Sequence, residues 1–448
     1  MGSSTEDQSL RNETGAIRHL DAAGARQLVA RFARPVVADE RGVAWDEHDS
    51  IAAATWGWLS LDHPETDRSP HVIGHYKTHL YLHGLRRLPL SVARELVRHR
   101  GHLYLDGLTS ITDAVAAELG RHHAGGLSFN RLRTLSPAAA RSLGEHGGEL
   151  TFARLARLEP EVALGLARHA NELFLAGVRR LAPLAAAALS QHRGDLFLAG
   201  LAQLPARVAV HLARHRGKLH LHGVKRLSPA AAEALGGRTG HLCLTKLEEL
   251  PPRQARHLAA HVGELHVGGL AVDDMVAESL GRHVGSLFIR VADDIPVPRL
   301  HALVQHQGPL EIAGLARLDE PRALVLAAQP GFRGIEGLSG LFVSGVTTIT
   351  PAVAAILATH RAGGLALNGL RQLSEDVAQE LVRHPLLALD RVETLTDRVA
   401  SILATHTGVT LSLRGLRSVS PTALAKLRAT PSIEIKVPAT KSGVDRKG

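Results

Sequence analysis

A repeat of 22 to 24 residues runs through most of this 448-residue chain. Every copy opens with an aliphatic residue at the start of a short apolar segment. The copies begin at Leu80, Leu103, Leu127, Leu150, Leu173, Leu196, Leu219, Leu242, Leu265, Leu287 and Leu310, and after a longer interval at Leu341, Leu365, Leu387, Leu411 and Ile433. Regularity over roughly 350 residues predicts one array of stacked units rather than separate globular domains.

Each copy is predicted to contain a strand, a bend and a short helix. The alternation in Leu103-Tyr104-Leu105 and in Leu219-His220-Leu221 is typical of a strand with one buried face. We therefore expect the leucines to point inward and the middle residues to point outward. Gly84-Leu85 shows the next part of the unit, in which glycine permits a tight bend and the aliphatic residue returns to the core.

Signals for the start and end of a helix complete the unit. A hydroxyl residue followed by proline predicts an N-cap and a first helical position at Ser136-Pro137, Ser228-Pro229, Thr350-Pro351 and Ser420-Pro421. The helix over Ala138 to His146 is expected to span about ten residues. Units close with a His-x-Gly motif, as in His146-Gly148 and His192-Gly194. We interpret this glycine as a left-handed helix cap and the histidine as a structural donor to free carbonyl groups.

The composition agrees with a stack of similar layers. Hydrophobic residues make up 45% of the chain but aromatic residues only 3%, so the core depends on small aliphatic side chains. A single cysteine, Cys243, excludes an internal disulfide framework and indicates a reducing compartment. The sequence shows no signal peptide, transit peptide or apolar run of about 20 residues, so we expect a cytoplasmic protein without a membrane span.

The strand-loop-helix unit with its leucine frame resembles leucine-rich repeats, particularly the alanine-rich repeats of bacterial proteins. The resemblance covers roughly residues 80–437. It implies an α/β solenoid shaped as a right-handed horseshoe, with a parallel β-sheet on the concave face and short helices on the convex face. It also implies partner binding rather than a chemistry. The chain departs from the family where the asparagine ladder would stand, because Leu85, Leu108, Val178 and Leu201 occupy those positions.

The repeat also predicts the domain boundaries. Residues 1–15 and 438–448 are polar and are expected to be disordered tails. Residues 16–78 are expected to form an N-terminal cap, in which Leu20 to Phe32 is a degenerate repeat and the following insertion carries Trp45, Trp56 and Trp58. The repeat array occupies residues 79–437, with an irregular insertion near 329–340.

The outward position of each strand is the first candidate for a binding surface. Neighbouring strands lie about 4.8 Å apart, so these side chains form a row across the sheet. Because exposed aromatic residues are costly unless a partner covers them, we predict a protein-binding surface on the concave strand face. Self-covering by the N-terminal insertion or by a second copy is the alternative. The partner-binding residues predicted in this way are Tyr81, Tyr104, Phe174, Phe197, His220, His266 and Phe288.

A basic ridge in the loops after the strands is the second candidate. The chain carries a formal charge of +9, which favours acidic partners, although both signs are interspersed. Nucleic acid or another anionic ligand is therefore the alternative partner, and the acidic row of Glu149, Glu172 and Asp195 disfavours it. The ridge that would make this contact consists of Arg86, Arg87, Arg179, Arg180, Lys225 and Arg226.

A metal or thiol site is the weakest alternative. His220, Cys243 and His266 occupy the outward positions of three successive strands, so they could converge as zinc ligands or form a Cys-His pair. His222 and His241 are the candidates for a fourth ligand. Because histidine is frequent in this chain, with 28 copies, we assign no metal, cofactor or catalytic residue. The sequence thus favours a non-enzymatic protein-interaction scaffold or recognition module.

Overall fold

The computed structural model describes residues 14–32 and 79–435, except 124, 271, 292–294, 316 and 331–339. The Trp-containing insertion, most of the insertion near 329–340, and the tail after 437 lie outside the described residues. The described chain divides into two compact units, which include residues 79–249 and 260–266 in the first unit and 250–259 and 267–435 in the second.

The central element is a sixteen-stranded parallel sheet whose strands follow chain order. The chain is therefore a leucine-rich-repeat-like solenoid of strand-helix units. The strands of the sheet are β1 (Leu80–Tyr81), β2 (Leu103–Tyr104), β3 (Leu127–Ser128), β4 (Leu150–Thr151), β5 (Leu173–Phe174), β6 (Leu196–Phe197), β8 (Leu219–His220), β10 (Leu242–Leu244), β11 (Leu265–Leu270), β12 (Leu287–Val291), β13 (Leu310–Ala313), β14 (Gly340–Val343), β15 (Gly364–Ala366), β16 (Leu386–Ala388), β17 (Thr410–Leu413) and β18 (Ile433–Ile435). Two further strands, β7 (Gln203–Leu204) and β9 (Arg226–Leu227), form a separate pair.

One short helix follows each strand of the sheet from β1 to β17, and one further helix, α1, precedes β1. The helices are α1 (Ala22–Phe32), α2 (Leu90–Leu96), α3 (Asp113–Leu119), α4 (Pro137–Leu143), α5 (Pro160–Leu166), α6 (Pro183–Leu189), α7 (Ala206–Leu212), α8 (Pro229–Gly236), α9 (Pro252–Ala259), α10 (Asp274–Gly281), α11 (Val297–Val304), α12 (Glu320–Ala327), α13 (Pro351–Leu357), α14 (Glu375–Leu381), α15 (Asp397–Leu403) and α16 (Pro421–Arg428). None of these helices combines the length and apolar character needed to cross a lipid bilayer.

The core lies between the sheet and the helices. Leu103 of β2 and Leu105 just after it are fully buried, and so are helix residues such as Ala140 and Leu143. Successive helices approach closely: a Cβ added at Gly120, just after α3, would overlap the Ser142 carbonyl oxygen of the next helix. The stack therefore needs small side chains, which explains the low aromatic content.

The predicted N-caps are confirmed. Ser136, Ser228, Thr350 and Ser420 each accept a backbone N–H from the first turn of the helix that follows. The predicted length of the helix was wrong, because α4 has seven residues. After Leu143 the backbone tightens, and His146 donates its N–H to Leu143, three residues earlier, at 3.0 Å.

The histidines of the His-x-Gly motifs stack from repeat to repeat and form a buried ladder within each of the two compact units. Rings of successive copies are nearly parallel, with centroids 6.1 Å apart for His146 and His169 and 5.8 Å apart for His283 and His306. His306 contacts the Gly285 carbonyl through Nε2 at 2.9 Å. The interpretation as a structural donor fits this contact with the preceding repeat.

Two other residue types replace histidine in the ladder. Arg238 donates to the carbonyls of His215 and Gly217, and Gln329 donates to those of His306 and Gly308 at 3.3 and 2.9 Å. Both residues keep the same pair of acceptors relative to the repeat. This position therefore requires a donor side chain that reaches the preceding repeat.

The glycine of the motif has a different role from the one predicted. A positive φ occurs at Gly263 and Gly285, but Gly148 and Gly194 have none. At Gly148 and Gly194 an added Cβ would overlap the carbonyl oxygens of Gly125 and Asn171, respectively. Close backbone approach between repeats, rather than a left-handed cap, therefore requires glycine at most of these positions.

Candidate functional site

The outward strand positions form a continuous row, because the strands pair in register. Thr151 pairs with Phe174, Phe174 with Phe197, and Phe197 with His220. The rings of Phe174 and Phe197 stack with centroids 4.1 Å apart, and those of Phe197 and His220 are 4.0 Å apart. Tyr81 and Tyr104 stack in the same way at 4.5 Å.

The expected exposure of this row is wrong for most of its members. Phe174 and Phe197 are each 6% exposed, and Phe288 is 2% exposed. Tyr81, His220 and His266 are also buried, whereas Tyr104 is half-buried. In-register rings about one strand spacing apart cover one another's faces, so little of each ring remains for a partner. The role of these residues in partner binding stays a prediction.

A cluster of histidines interrupts the aromatic row in the first unit. His220, His222 and Cys243 each offer one ligand atom, and these three atoms lie within 4.8 Å of one another. Cys243 Sγ is 3.3 Å from His222 Nδ1, which also contacts Thr245 Oγ1 at 2.9 Å. The strands β8 and β10 position this cluster, because Cys243 pairs with His220 in the sheet. We call these three residues the His-Cys cluster.

His266 belongs to a neighbouring group rather than to the His-Cys cluster. Glu264 lies 3.0 Å from His241 Nδ1 and 2.6 Å from His266 Nε2 through its two carboxylate oxygens. Burial would raise the pKa of Glu264, but the hydrogen bonds from the two histidines outweigh it and hold the pKa well below its usual range. The predicted grouping of His220, Cys243 and His266 is thus replaced by two groups of three.

Burial controls the protonation of the His-Cys cluster. It lowers the pKa of His222 to about 4, with help from the nearby imidazoles of His266 and His241. It lowers the pKa of His220 as well and raises that of the Cys243 thiol to about 12. Without a bound cation the thiol is therefore protonated at neutral pH and a poor nucleophile, which disfavours a thiol enzyme.

All six residues of the basic ridge are exposed, as expected for the loops after the strands. They are Arg86, Arg87, Arg179, Arg180, Lys225 and Arg226. Lys225 pairs with Glu248 at 2.6 Å and Arg226 pairs with Glu249 at 3.3 Å, so these two charges are compensated. The other four make no ion pair with a described residue.

A groove of about 370 Å³ lies beside Arg86 of the ridge in the first unit. Four arginines from three repeats and one threonine surround it, and within the described chain no carboxylate pairs with these guanidinium groups. We call it the arginine groove. Its lining residues are Arg86, Thr109, Arg131, Arg133 and Arg154.

The sequence interpretation included Arg86 among its site residues but missed Arg131 and Arg154. Both stand four residues after the first strand leucine, where Gly84, Gly107 and Gly177 stand in other repeats. The departure of two consecutive repeats from this glycine was the available signal.

No protein-family model matches the chain, and no curated protein matches it either. Solved structures with a similar fold include three proteins of low identity to this chain. A leucine-rich-repeat protein of Leptospira interrogans has 16% identity and a TM-score of 0.39, covering 79% of this chain and 93% of its own. An internalin from Listeria monocytogenes has 14% identity and a TM-score of 0.32, covering 77% and 88%. A structure of the Drosophila Toll–Spatzle complex has 13% identity and a TM-score of 0.34, covering 78% of this chain and 46% of the other.

Proposed function

We propose that the chain is a binding scaffold that holds a partner protein by an acidic segment. The arginine groove carries this proposal, because Arg86, Arg131, Arg133 and Arg154 line one concavity without a described carboxylate partner. Guanidinium groups bind carboxylates in a bidentate geometry and remain charged at any physiological pH. Several uncompensated arginines in one groove therefore favour a ligand with several carboxylates.

The strand face beside the ridge forms the second part of the proposed contact surface. Its stacked rings are too buried to supply large hydrophobic anchors, but their in-register stacking favours a rigid surface. Tyr104 is half-buried, whereas the other aromatic residues of the row in the early repeats, Tyr81, Phe174 and Phe197, are buried. A rigid surface loses little conformational entropy when a partner binds.

Protein is favoured over nucleic acid because acidic side chains flank the aromatic row. Glu149, Glu172 and Asp195 immediately precede β4, β5 and β6 and are only partly buried. A polyanion that stacked its bases on the row would meet these carboxylates. A protein partner can instead place positive residues on the acidic row and negative residues in the groove.

Binding of defined probes tests this proposal. We expect an acidic peptide to bind the wild-type chain more tightly than a single-stranded RNA of equal charge, measured by fluorescence anisotropy at two salt concentrations. The double variant Arg131→Gly/Arg154→Gly should bind the peptide about tenfold more weakly, because two charge-assisted contacts are lost. The fold should tolerate glycine, which stands at the equivalent positions of other repeats.

Arg391→Gly is the matched control, because Arg391 occupies the same position of a later repeat and does not line the groove. It should leave peptide affinity unchanged. Tighter binding of the RNA than of the peptide would favour a nucleic-acid scaffold, and equal peptide binding by the double variant would refute the role of the groove.

A further inference from the structure

We infer that the His-Cys cluster binds one zinc ion, with His220, His222 and Cys243 as its protein ligands. None of its residues lines the arginine groove, although His220 belongs to the outward strand row, so the site can be tested separately from the groove.

The geometry suits a tetrahedral ion. Ligand bonds to zinc of about 2.3 Å for sulfur and about 2.0 Å for nitrogen place two ligand atoms roughly 3.5 Å apart. The observed separation of Cys243 Sγ and His222 Nδ1 is 3.3 Å, and all three ligand atoms lie within 4.8 Å of one another. Small side-chain rotations would therefore bring the three donors around one ion.

The sheet holds the donors in place. His220 and Cys243 are paired residues of the adjacent parallel strands β8 and β10, and His222 lies two residues after His220. Ligands on neighbouring strands need little reorganisation when an ion binds. His222 is half-buried whereas the other two ligands are buried, so the site has a route for the ion on the His222 side.

The fold itself does not require these residue types. The position of His222 is filled by Ala153, Ala176 and Ala199 in the three preceding repeats. The position of His220 is filled by Phe197 in the preceding repeat, and that of Cys243 by Ser128 in an earlier one. Three metal-binding side chains thus converge where apolar or small residues satisfy the packing.

The donor set favours zinc over a hard cation. Thiolate and imidazole bind borderline and soft ions such as zinc, whereas magnesium and calcium prefer oxygen ligands. Three protein ligands leave one coordination position of a tetrahedral ion open. The nearby Glu264 carboxylate contributes negative charge beside the site, since its partner His241 has its ring 4.6 Å from that of His220.

Cobalt binding to the metal-stripped 448-residue chain tests this zinc site. Cobalt(II) takes the same ligands as zinc, and a thiolate ligand adds an intense sulfur-to-metal charge-transfer absorption. We expect one equivalent to bind with this absorption, and one equivalent of zinc to displace it. Cys243→Ser should abolish the charge-transfer absorption, and His222→Ala should weaken cobalt affinity at least about tenfold.

We expect both variants to fold, because serine and alanine occupy the equivalent positions of other repeats. Circular dichroism of the variants should match the wild type. His301→Ala is the control, since His301 is an exposed histidine of α11 and should not affect binding. Absence of stoichiometric cobalt binding, or an unchanged spectrum in Cys243→Ser, would overturn the inference.

Discussion

The ladder histidines show how a single residue type joins consecutive repeats. His306 is fully buried, and its Nε2 contacts the Gly285 carbonyl of the preceding repeat. A buried carbonyl without a donor costs about 1–3 kcal/mol. The neighbouring repeat uses Gln329 in the same position, which donates through its side-chain amide to Gly308. The required property is therefore a donor of suitable length rather than an imidazole.

This comparison predicts different effects of two substitutions at one site. His306→Leu should lower the free energy of unfolding by about 1–3 kcal/mol, because the buried carbonyl of Gly285 loses its donor. His306→Gln should cost less than half as much, since an amide can replace the ring nitrogen. Urea denaturation of both variants measures the difference. Equal losses in the two variants would show that ring stacking, rather than hydrogen bonding, stabilises the ladder.

At the scale of single residues, the sequence predicted on which side of the sheet a residue lies better than it predicted how buried that residue is. Alternation along the strand placed Phe174 and Phe197 on the outer side of the sheet, and the two residues do pair there. Their burial could not be read from one strand, because it arises from rings on neighbouring strands. The same limit explains the His-Cys cluster, in which His222 replaces His266 as a neighbour of Cys243.

At the scale of secondary-structure elements, the helices are too short to be stable alone and depend on caps and packing. Ser136 caps α4 by accepting the N–H of Ala139 at 3.0 Å. The next helix, α5, begins after Glu159, whose side chain makes no cap hydrogen bond. These consecutive helices have equal lengths and both carry proline in the first turn, so they form a matched pair.

Removing the two N-cap side chains should therefore have unequal effects. Ser136→Ala should lower the free energy of unfolding by about 1 kcal/mol, the usual cost of a lost N-cap hydrogen bond. Glu159→Ala should change it by less than about 0.5 kcal/mol, as for an ordinary surface substitution. Thermal denaturation of both variants measures this contrast, and a loss at Glu159 as large as that at Ser136 would contradict it.

Element starts were predictable from the sequence, but element ends were not. A hydroxyl residue before proline is a local signal, and it located the first residue of α4 correctly. The helix ends early because the following turn must direct His146 into the ladder beside His122 and His169. That requirement comes from adjacent repeats and leaves no mark within one repeat.

At the scale of the whole molecule, burial keeps the ladder neutral. It lowers the pKa of His146 to about 3 and those of His169, His215, His306 and His384 to about 4. The same groups in an unfolded chain titrate near 6.5. Between these values the unfolded chain binds more protons than the folded chain, so acid favours unfolding.

We therefore expect the stability to be fully retained above about pH 6.5 and to fall as the pH decreases towards 4. Each such histidine contributes a slope of about 1.4 kcal/mol per pH unit within that window. Denaturation midpoints measured across this range test the expectation, and the slope should be shallower in His306→Gln. A midpoint that stays constant or rises on acidification would contradict a neutral ladder.

The repeat period predicted an array of stacked units, and the resemblance to leucine-rich repeats implied that its sheet is parallel. Neither was enough to predict the arginine groove, because Arg86, Arg133 and Arg154 are separated in the chain and meet only through the stacking of repeats. An interval of constant length predicts which residues are equivalent. It does not predict where residues that depart from the repeat pattern, in neighbouring repeats, come together to form a site.

Gln329 reaches back 21 residues to Gly308, and His306 reaches back 21 residues to Gly285. Each of these contacts thus joins a side chain only to the repeat that precedes it. A gene duplication that copies one complete repeat would preserve every such contact, whereas the loss of half a repeat would leave a donor and an acceptor without their counterparts. Such a chain can lengthen by whole repeats, and each added strand would extend the sheet by about 4.8 Å.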